Sequence, residues 1–224
     1  CPICPRTRSG GQRNPNLPRA ELTLADFEAM FPPDLLGGLK QFLFCGNYGD
    51  ALVARDTLPI VEYLRTTNPK LRIKLVTNGS GRDAAFWKKL AKLATTVTFS
   101  IDGLGETNRL YRRRTSWDRI MAAVTAYLGA DGRAEWDFLV FRHNEHQVKE
   151  AEALAKSLGF AKFNLKRSQR FLVEGRAEER FPVLGKDGKV SYYLELPEQA
   201  EHQNSGFVDL SRLKKKKKSY GDYL

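Results

Sequence analysis

The chain has 224 residues, of which 42% are hydrophobic and 28% charged, which suits one sizeable water-exposed globular core and excludes a low-complexity or fibrous protein. Lysine and arginine number 37 against 26 acids, and the net charge of +11 would attract nucleic acid, an acidic peptide or a phosphorylated partner without choosing among them. No apolar run approaches the roughly 20 residues of a membrane span, and three cysteines do not make a disulfide framework, so a reducing compartment, the cytoplasm, is expected.

Cys1 and Cys4 open the chain as a CxxC pair, a spacing shared by zinc sites, redox dithiols and iron–sulfur sites. Residues 5–20 carry Arg, Gly, Asn and Pro without apolar periodicity and read as a long loop. Thr23, with Asp26 three positions on, predicts a helix N-terminus, and Pro32-Pro33 predicts its stop. From there strands and helices alternate. Residues 39–45 read as a strand ending in the glycine-rich Gly46, Asn47, Tyr48, Gly49 and Asp50, and residues 57–66 as a helix. Strands at 71–77, 96–101, 134–141 and 161–166 alternate with helices at 83–93, 116–128 and 146–158, the last closed by Gly159.

This alternation predicts right-handed βαβ units and a parallel α/β sheet. Neither GxGxxG nor GxxxxGK[ST] follows the first strand, so dinucleotide and P-loop readings lose their support and a barrel or partial barrel gains. In such barrels the site lies at the C-terminal strand ends, where Gly46 to Asp50, Thr77-Asn78-Gly79, Ser100-Ile101-Asp102-Gly103 and Arg142 to Asn144 fall. Beyond Lys166 the alternation fades, apart from a possible strand at 190–196. Residues 1–169 are therefore read as the core and 170–224 as a C-terminal extension or linker towards a further domain. The run Lys214 to Lys218 reads as a solvated segment.

Taken singly, each of these motifs has an ordinary explanation. The cysteine pair is compatible with half a zinc site, Gly-Asn and Gly-Asp with turns, and Asp102 with a carboxylate that accepts local N–H groups. Cys45 ends an apolar run and reads as a small core hydrophobe rather than a ligand. Trp87, Trp117 and Trp136 read as core, and His143 and His146 as surface or capping residues.

As a set, the CxxC pair and the strand-end motifs resemble the radical S-adenosylmethionine (radical SAM) enzymes, closest to the branch with SPASM or twitch auxiliary domains. The resemblance covers roughly residues 1–167. It implies a partial parallel (β/α)6 TIM-like barrel whose first strand is truncated here. It also implies a CxxxCxxC loop in which Cys1 and Cys4 are the second and third ligands of a [4Fe-4S] cluster, with the first ligand four positions upstream. Ile3 would lie against adenine. Gly46, Asn47, Tyr48, Gly49 and Asp50 would meet the methionine amino group, and Asn78, Ser100, Asp102 and Asn144 would lie along S-adenosylmethionine. One of Arg112, Arg113 and Arg114 would neutralise its carboxylate. The implied activity is reductive cleavage of S-adenosylmethionine to a 5′-deoxyadenosyl radical that abstracts hydrogen from a substrate, a peptide or protein by analogy. A flavodoxin or ferredoxin would serve as reductant. An RNA substrate, or a non-catalytic basic module with a zinc site, are the alternative readings.

Overall fold

The computed structural model describes residues 1–17, 20–46, 49–168, 171–173, 176–177 and 179–203. In chain order the main elements are α1 (Leu24–Met30), α2 (Pro33–Gly37), β1 (Gln41–Phe44), α3 (Thr57–Thr67), β2 (Arg72–Thr77), α4 (Ala84–Leu93) and β3 (Thr96–Ser100). They are followed by α5 (Asn108–Tyr111), α6 (Trp117–Leu128), β4 (Ala134–Val140), α7 (Val148–Leu158) and β5 (Lys162–Arg167). Last come β6 (Leu172–Val173), β7 (Arg176–Ala177), β8 (Arg180–Leu184) and β9 (Val190–Glu195). The α1 N-terminus is a reciprocal capping box between Thr23 and Asp26. The proline pair does more than stop α1: Pro33 sits in the first turn of α2, where its missing N–H has no intrahelical partner to lose.

Strands β1 to β5 form one parallel sheet in sequence order. This is the parallel α/β arrangement expected; among the described residues five of its strands are found. The pairs Thr77↔Phe99, Phe99↔Trp136 and Trp136↔Phe163 put these side chains in one row. That face is buried under the helices: Trp87 of α4 and Tyr127 of α6 lie with ring centroids 5.3 Å and 6.0 Å from Phe99. Ile73, Leu75, Val97, Trp136 and Phe138 are fully enclosed, and each such side chain stabilises the fold by about 1.5–3 kcal/mol relative to exposure. Trp87 and Trp136 are core as expected, while Trp117 is only half-buried.

The opposite face is mixed, with Leu43, Val76 and Leu139 among a majority of polar side chains. Because side chains alternate along each strand, Lys74, Thr98, Ser100, Glu135, Asp137, Lys162, Asn164 and Lys166 lie away from the helix layer. Cys45, just past β1, is exposed. The expectation of a core thiol is thus overturned, because the apolar run ends at Phe44 and the next residue has left the sheet.

The chain beyond β5 returns to the core. Strands β8 and β9 form an antiparallel hairpin, and Tyr192 donates through its hydroxyl to Leu110 O at 2.6 Å. Arg142 N–H donates to Glu195 O at 3.1 Å. The backbone N–H groups of Glu198 and Gln199 meet the Glu145 carboxylate. The described part of 170–224 is an extension folded back onto the strand ends; Lys214 to Lys218 lie outside the described residues.

Candidate functional site

The N-terminal cysteines sit on successive tight turns. Cys4 N–H donates to Cys1 O at 3.1 Å and Thr7 N–H to Cys4 O at 3.0 Å. Gly10 N–H then donates to the Thr7 hydroxyl at 3.0 Å. Both thiols are half-buried. A second, smaller apolar cluster supports this loop: Tyr111, Phe141, Phe171, Val183 and Leu194 are buried together, with Cys1, Ile3 and Leu139 packed against them.

The β8–β9 hairpin clamps the loop from above. Leu184 N–H donates to Ser9 O at 2.8 Å. The same Arg113 nitrogen, Nη1, donates to Gly10 O at 2.7 Å and Leu184 O at 2.9 Å. Gly11 has no room for a side chain, since a Cβ there would stand 2.6 Å from Gly185 O.

Below the loop, polar side chains fix the strand ends. Asp50 follows β1 and reaches the end of β2. Its Oδ2 accepts from the Thr77 hydroxyl at 2.8 Å, from Asn78 N–H at 2.9 Å and from Asn78 Nδ2 at 2.8 Å, while Oδ1 accepts from Leu52 N–H at 3.1 Å. Four donors fill the lone pairs of this carboxylate, so Asp50 joins two strand ends to each other. Gly46 lets the loop fold on itself, because a Cβ would lie 2.2 Å from Gly49 O. Asn47 and Tyr48 lie outside the described residues.

Asp102, just past β3, is the second hub and is fully buried. One carboxylate oxygen accepts from Arg112 Nε and the other from Leu139 N–H at 2.7 Å. The Asp102 backbone N–H donates to Asn108 Oδ1 at 2.8 Å, and Asp102 O accepts from Asn144 Nδ2 at 3.0 Å. Asn144 is enclosed as well: it also donates to Leu139 O at 3.0 Å and accepts from Phe141 N–H at 2.7 Å. Both residues therefore brace the ends of β3 and β4 from within. Ser100 is buried at the end of β3 and makes no side-chain hydrogen bond among the described residues.

Of the three consecutive arginines, Arg112 is the one beside the thiols. Its Nη1 stands 3.6 Å from Cys1 Sγ while Nε holds Asp102. Arg113 belongs to the clamp, and Arg114 adopts a left-handed backbone, φ +64°. Burial pushes the Asp102 carboxyl above the ordinary carboxylate value, against the pull of Arg112 and the Leu139 N–H. Burial also opposes the charge on Arg112, but the Asp102 carboxylate outweighs it and holds the guanidinium above its usual value. A guanidinium on one oxygen and a backbone N–H on the other both favour the charged form of the carboxylate against that burial.

His143 departs from its expected surface role. It stacks on Phe141 at 5.4 Å, and its Nε2 is buried with no hydrogen-bond partner among the described residues. Burial, with a contribution from His146, lowers its pKa to about 4, so the ring is neutral. His146 is exposed, as expected.

The sequence reading missed Asn108 and Thr115, and it considered Arg113 only as a partner for a carboxylate, not as part of the clamp. Asn108 is fully buried between Asp102 N–H and the Thr115 hydroxyl. Nothing local marks it, because its partners are set by the return of the chain. Among the described residues no group of three His, Cys, Asp or Glu side chains converges on a metal. What the residues present do fit is part of a sulfur ligand set: two cysteines on one turn-rich loop, with Arg112 Nη1 3.6 Å from Cys1 Sγ.

No family model and no curated protein sequence matches the chain. Solved structures do. The radical SAM enzyme anSMEcpe with bound AdoMet aligns at a TM-score of 0.54 and 16% identity, over 74% of this chain and 51% of that one. Streptococcus suis SuiB bound to precursor peptide SuiA aligns at 0.62 and 13% identity, over 81% of this chain and 39% of that one. Archaeal TYW1 aligns at 0.51 and 11% identity, over 82% and 73% of the two chains. This chain spans about half or less of the first two structures, and what it shares with all three is the fold.

Proposed function

We propose that this chain, which has the radical SAM fold, is the core of a radical SAM enzyme acting on a peptide or protein. The observation that carries the reading is the juxtaposition at the strand ends. A loop bearing Cys1 and Cys4 lies over β3 and β4, and the Arg112 that touches Cys1 Sγ is fixed by the buried Asp102. Cys1 and Cys4 would be two of three thiolates on a [4Fe-4S] cluster, and the remaining ligand is proposed at the position four before Cys1. When bound, the cluster supplies the electron that cleaves S-adenosylmethionine reductively to methionine and a 5′-deoxyadenosyl radical, the agent of hydrogen abstraction.

The chain's own residues then divide the remaining work. Gly46, Gly49, Asn78 and Ser100, together with the Asn47-Tyr48 segment, are proposed to line the methionine moiety, and Ile3 the adenine. Arg112 is proposed to meet the carboxylate. Asp50, Asp102 and Asn144, whose polar atoms are already engaged with protein, would act as positioning residues that hold these contacts in register. The apolar cluster around Phe141 and Phe171 would keep water from the reacting centre. A peptide substrate is supported by the SuiB structure, which is bound to a precursor peptide; a reductant of the flavodoxin or ferredoxin kind is part of the same proposal.

The test is the chain extended upstream to include the position four before Cys1, reconstituted with iron and sulfide without oxygen, reduced, and assayed for 5′-deoxyadenosine from S-adenosylmethionine. Formation that disappears with Cys4→Ala but survives Cys45→Ala supports the reading. A protein that takes up zinc and no iron–sulfur cluster would refute it.

A further inference from the structure

We propose that Arg82 is a positioning residue for the S-adenosylmethionine site: it locks Asp50 and the short turn after it to the end of β2, and so holds the cradle proposed for the methionine moiety. This rests on the enzyme reading above and deepens it, since Arg82 lies outside every motif that carried that reading. The starting observation is a strained backbone. Arg82 has φ +69°, a left-handed conformation that a residue with a Cβ enters only at a cost and that glycine usually fills. Such strain persists where the surroundings over-determine it, and here they do. Asn78 Oδ1 accepts from Ser80 N–H at 3.0 Å, and Gly81 O accepts from Nε1 of the buried Trp87 at 3.1 Å. On the other side Asp83 caps α4, accepting from Phe86 N–H at 2.9 Å. Arg82 thus stands between residues fixed to the core and to a helix.

The side chain uses that mount to reach across to the neighbouring strand end. Arg82 Nε donates to Leu52 O at 2.6 Å, and Nη2 donates to Val53 O at 3.2 Å and to Ala54 O. The guanidinium lies over the Phe86 ring, 5.0 Å from its centroid. One planar fork therefore meets three successive carbonyls at the end of the short 3₁₀ turn Ala51–Val53, a task that suits a guanidinium and not an ammonium. Among the described residues no carboxylate forms an ion pair with Arg82, so these carbonyls are its polar partners.

The same turn begins at Asp50, whose Oδ1 accepts Leu52 N–H while Oδ2 holds Thr77 and Asn78. The turn is thereby tied to the end of β2 twice, by Asp50 at its start and by Arg82 at its finish. Leu52 is buried in the core and anchors the turn at its centre. Two ties fix an orientation where one allows a pivot. If the turn pivots, Asp50 and the adjoining Gly49 move with it, and so does Gly46, which packs directly on Gly49 O. These are the backbone groups proposed to line the methionine moiety, and a displacement of about 1 Å is enough to weaken such contacts.

The variant that tests this is Arg82→Gly, because glycine takes φ +69° without strain and only the side chain is lost. The upstream-extended chain, loaded with the cluster and left unreduced, is dialysed against S-adenosylmethionine for a dissociation constant; the reduced enzyme then gives KM and kcat. On the chain as it stands, hydrogen exchange follows the amides of Leu52, Val53 and Ala54, and a thermal melt follows the fold. The dissociation constant and KM should rise about tenfold while kcat changes by less than about twofold. Exchange at the three amides should quicken, and the melting midpoint should not fall. Arg82→Lys should recover only part of the affinity, and Lys88→Ala, an exposed change on α4, should alter nothing. An unchanged dissociation constant in Arg82→Gly overturns the inference, as does a loss confined to kcat, an equal effect of Lys88→Ala, or a lowered melting midpoint, which would make the effect one of folding. In each of these cases the parent still binds and cleaves S-adenosylmethionine, so the enzyme reading stands. A parent that holds the cluster and binds no S-adenosylmethionine overturns both.

Discussion

Replacing Asp102 by Asn tests the arrangement at the strand ends most directly. Asn keeps the shape, and its amide oxygen still accepts the Leu139 N–H, but the charge that balances Arg112 is lost. Removing one partner of a buried ion pair costs about 3–5 kcal/mol, most of it from the charge left unpaired. The Arg112 side chain retains 19% exposure, so water takes up part of that charge and the cost should fall at the lower end, about 3 kcal/mol. For a chain of this size the urea m-value is about 2–3 kcal/mol per M, so the midpoint should fall by roughly 1 M with m unchanged. The same substitution in an Arg112→Gln background should cost less than about 1 kcal/mol, since the pair is already gone. A midpoint shift under roughly 0.3 M, or the same cost in both backgrounds, would refute the claim that the ion pair fixes this end of the sheet.

Gly79→Ala should destabilise by about 2 kcal/mol in a thermal melt, because φ is +73° and the new methyl would stand 2.8 Å from the Phe99 ring. His143 predicts a loss of stability in mild acid. Its folded pKa of about 4 lies below the unfolded value of 6.5, so the stability is complete above the unfolded pKa and falls as pH drops through it. That comes to about 2 kcal/mol between pH 7 and pH 5, and His143→Phe should flatten the pH profile of the urea midpoint. Arg113→Ala should leave the far-ultraviolet spectrum unchanged while proteolysis after Arg6 and Arg8 accelerates, since one guanidinium nitrogen joins Gly10 O to Leu184 O. An unchanged cleavage rate would mean that the loop is held without it.

The sheet was legible because its signal is local. The apolar alternation of β2, β3 and β4 and the caps at Thr23, Asp83 and Ser116 act within a few residues, and the structure places these elements within one or two positions of expectation. The strand-end motifs also fell where the barrel reading put them. What they do there was less legible. Asp50 and Asn144 look like free polar groups in sequence, yet both are filled by protein partners whose positions depend on neighbouring strands. Pro33 reads as a stop when only the preceding helix is considered, although it equally suits a first turn. The β8–β9 hairpin was hardest, since Pro182 interrupts a strand pattern and is tolerated only because the hairpin has two strands and open edges. The clamp role of Arg113 gave no signal: both of its carbonyl partners belong to segments far away in the chain.

The clamp on the cysteine loop also orders events during synthesis. Cys1 and Cys4 leave the ribosome before the sheet, but Ser9, Gly10 and Gly11 meet Leu184 and Gly185 only after the whole five-stranded sheet has been made. Val183 and Leu194, which close the apolar cluster behind Ile3, arrive later still. Translation thus delivers the sulfur-bearing segment early and its lid late. A metal loaded onto the nascent chain before that point would bind a loop that nothing yet shields from oxygen or competing ions, so the architecture favours insertion after the β8–β9 hairpin has folded back.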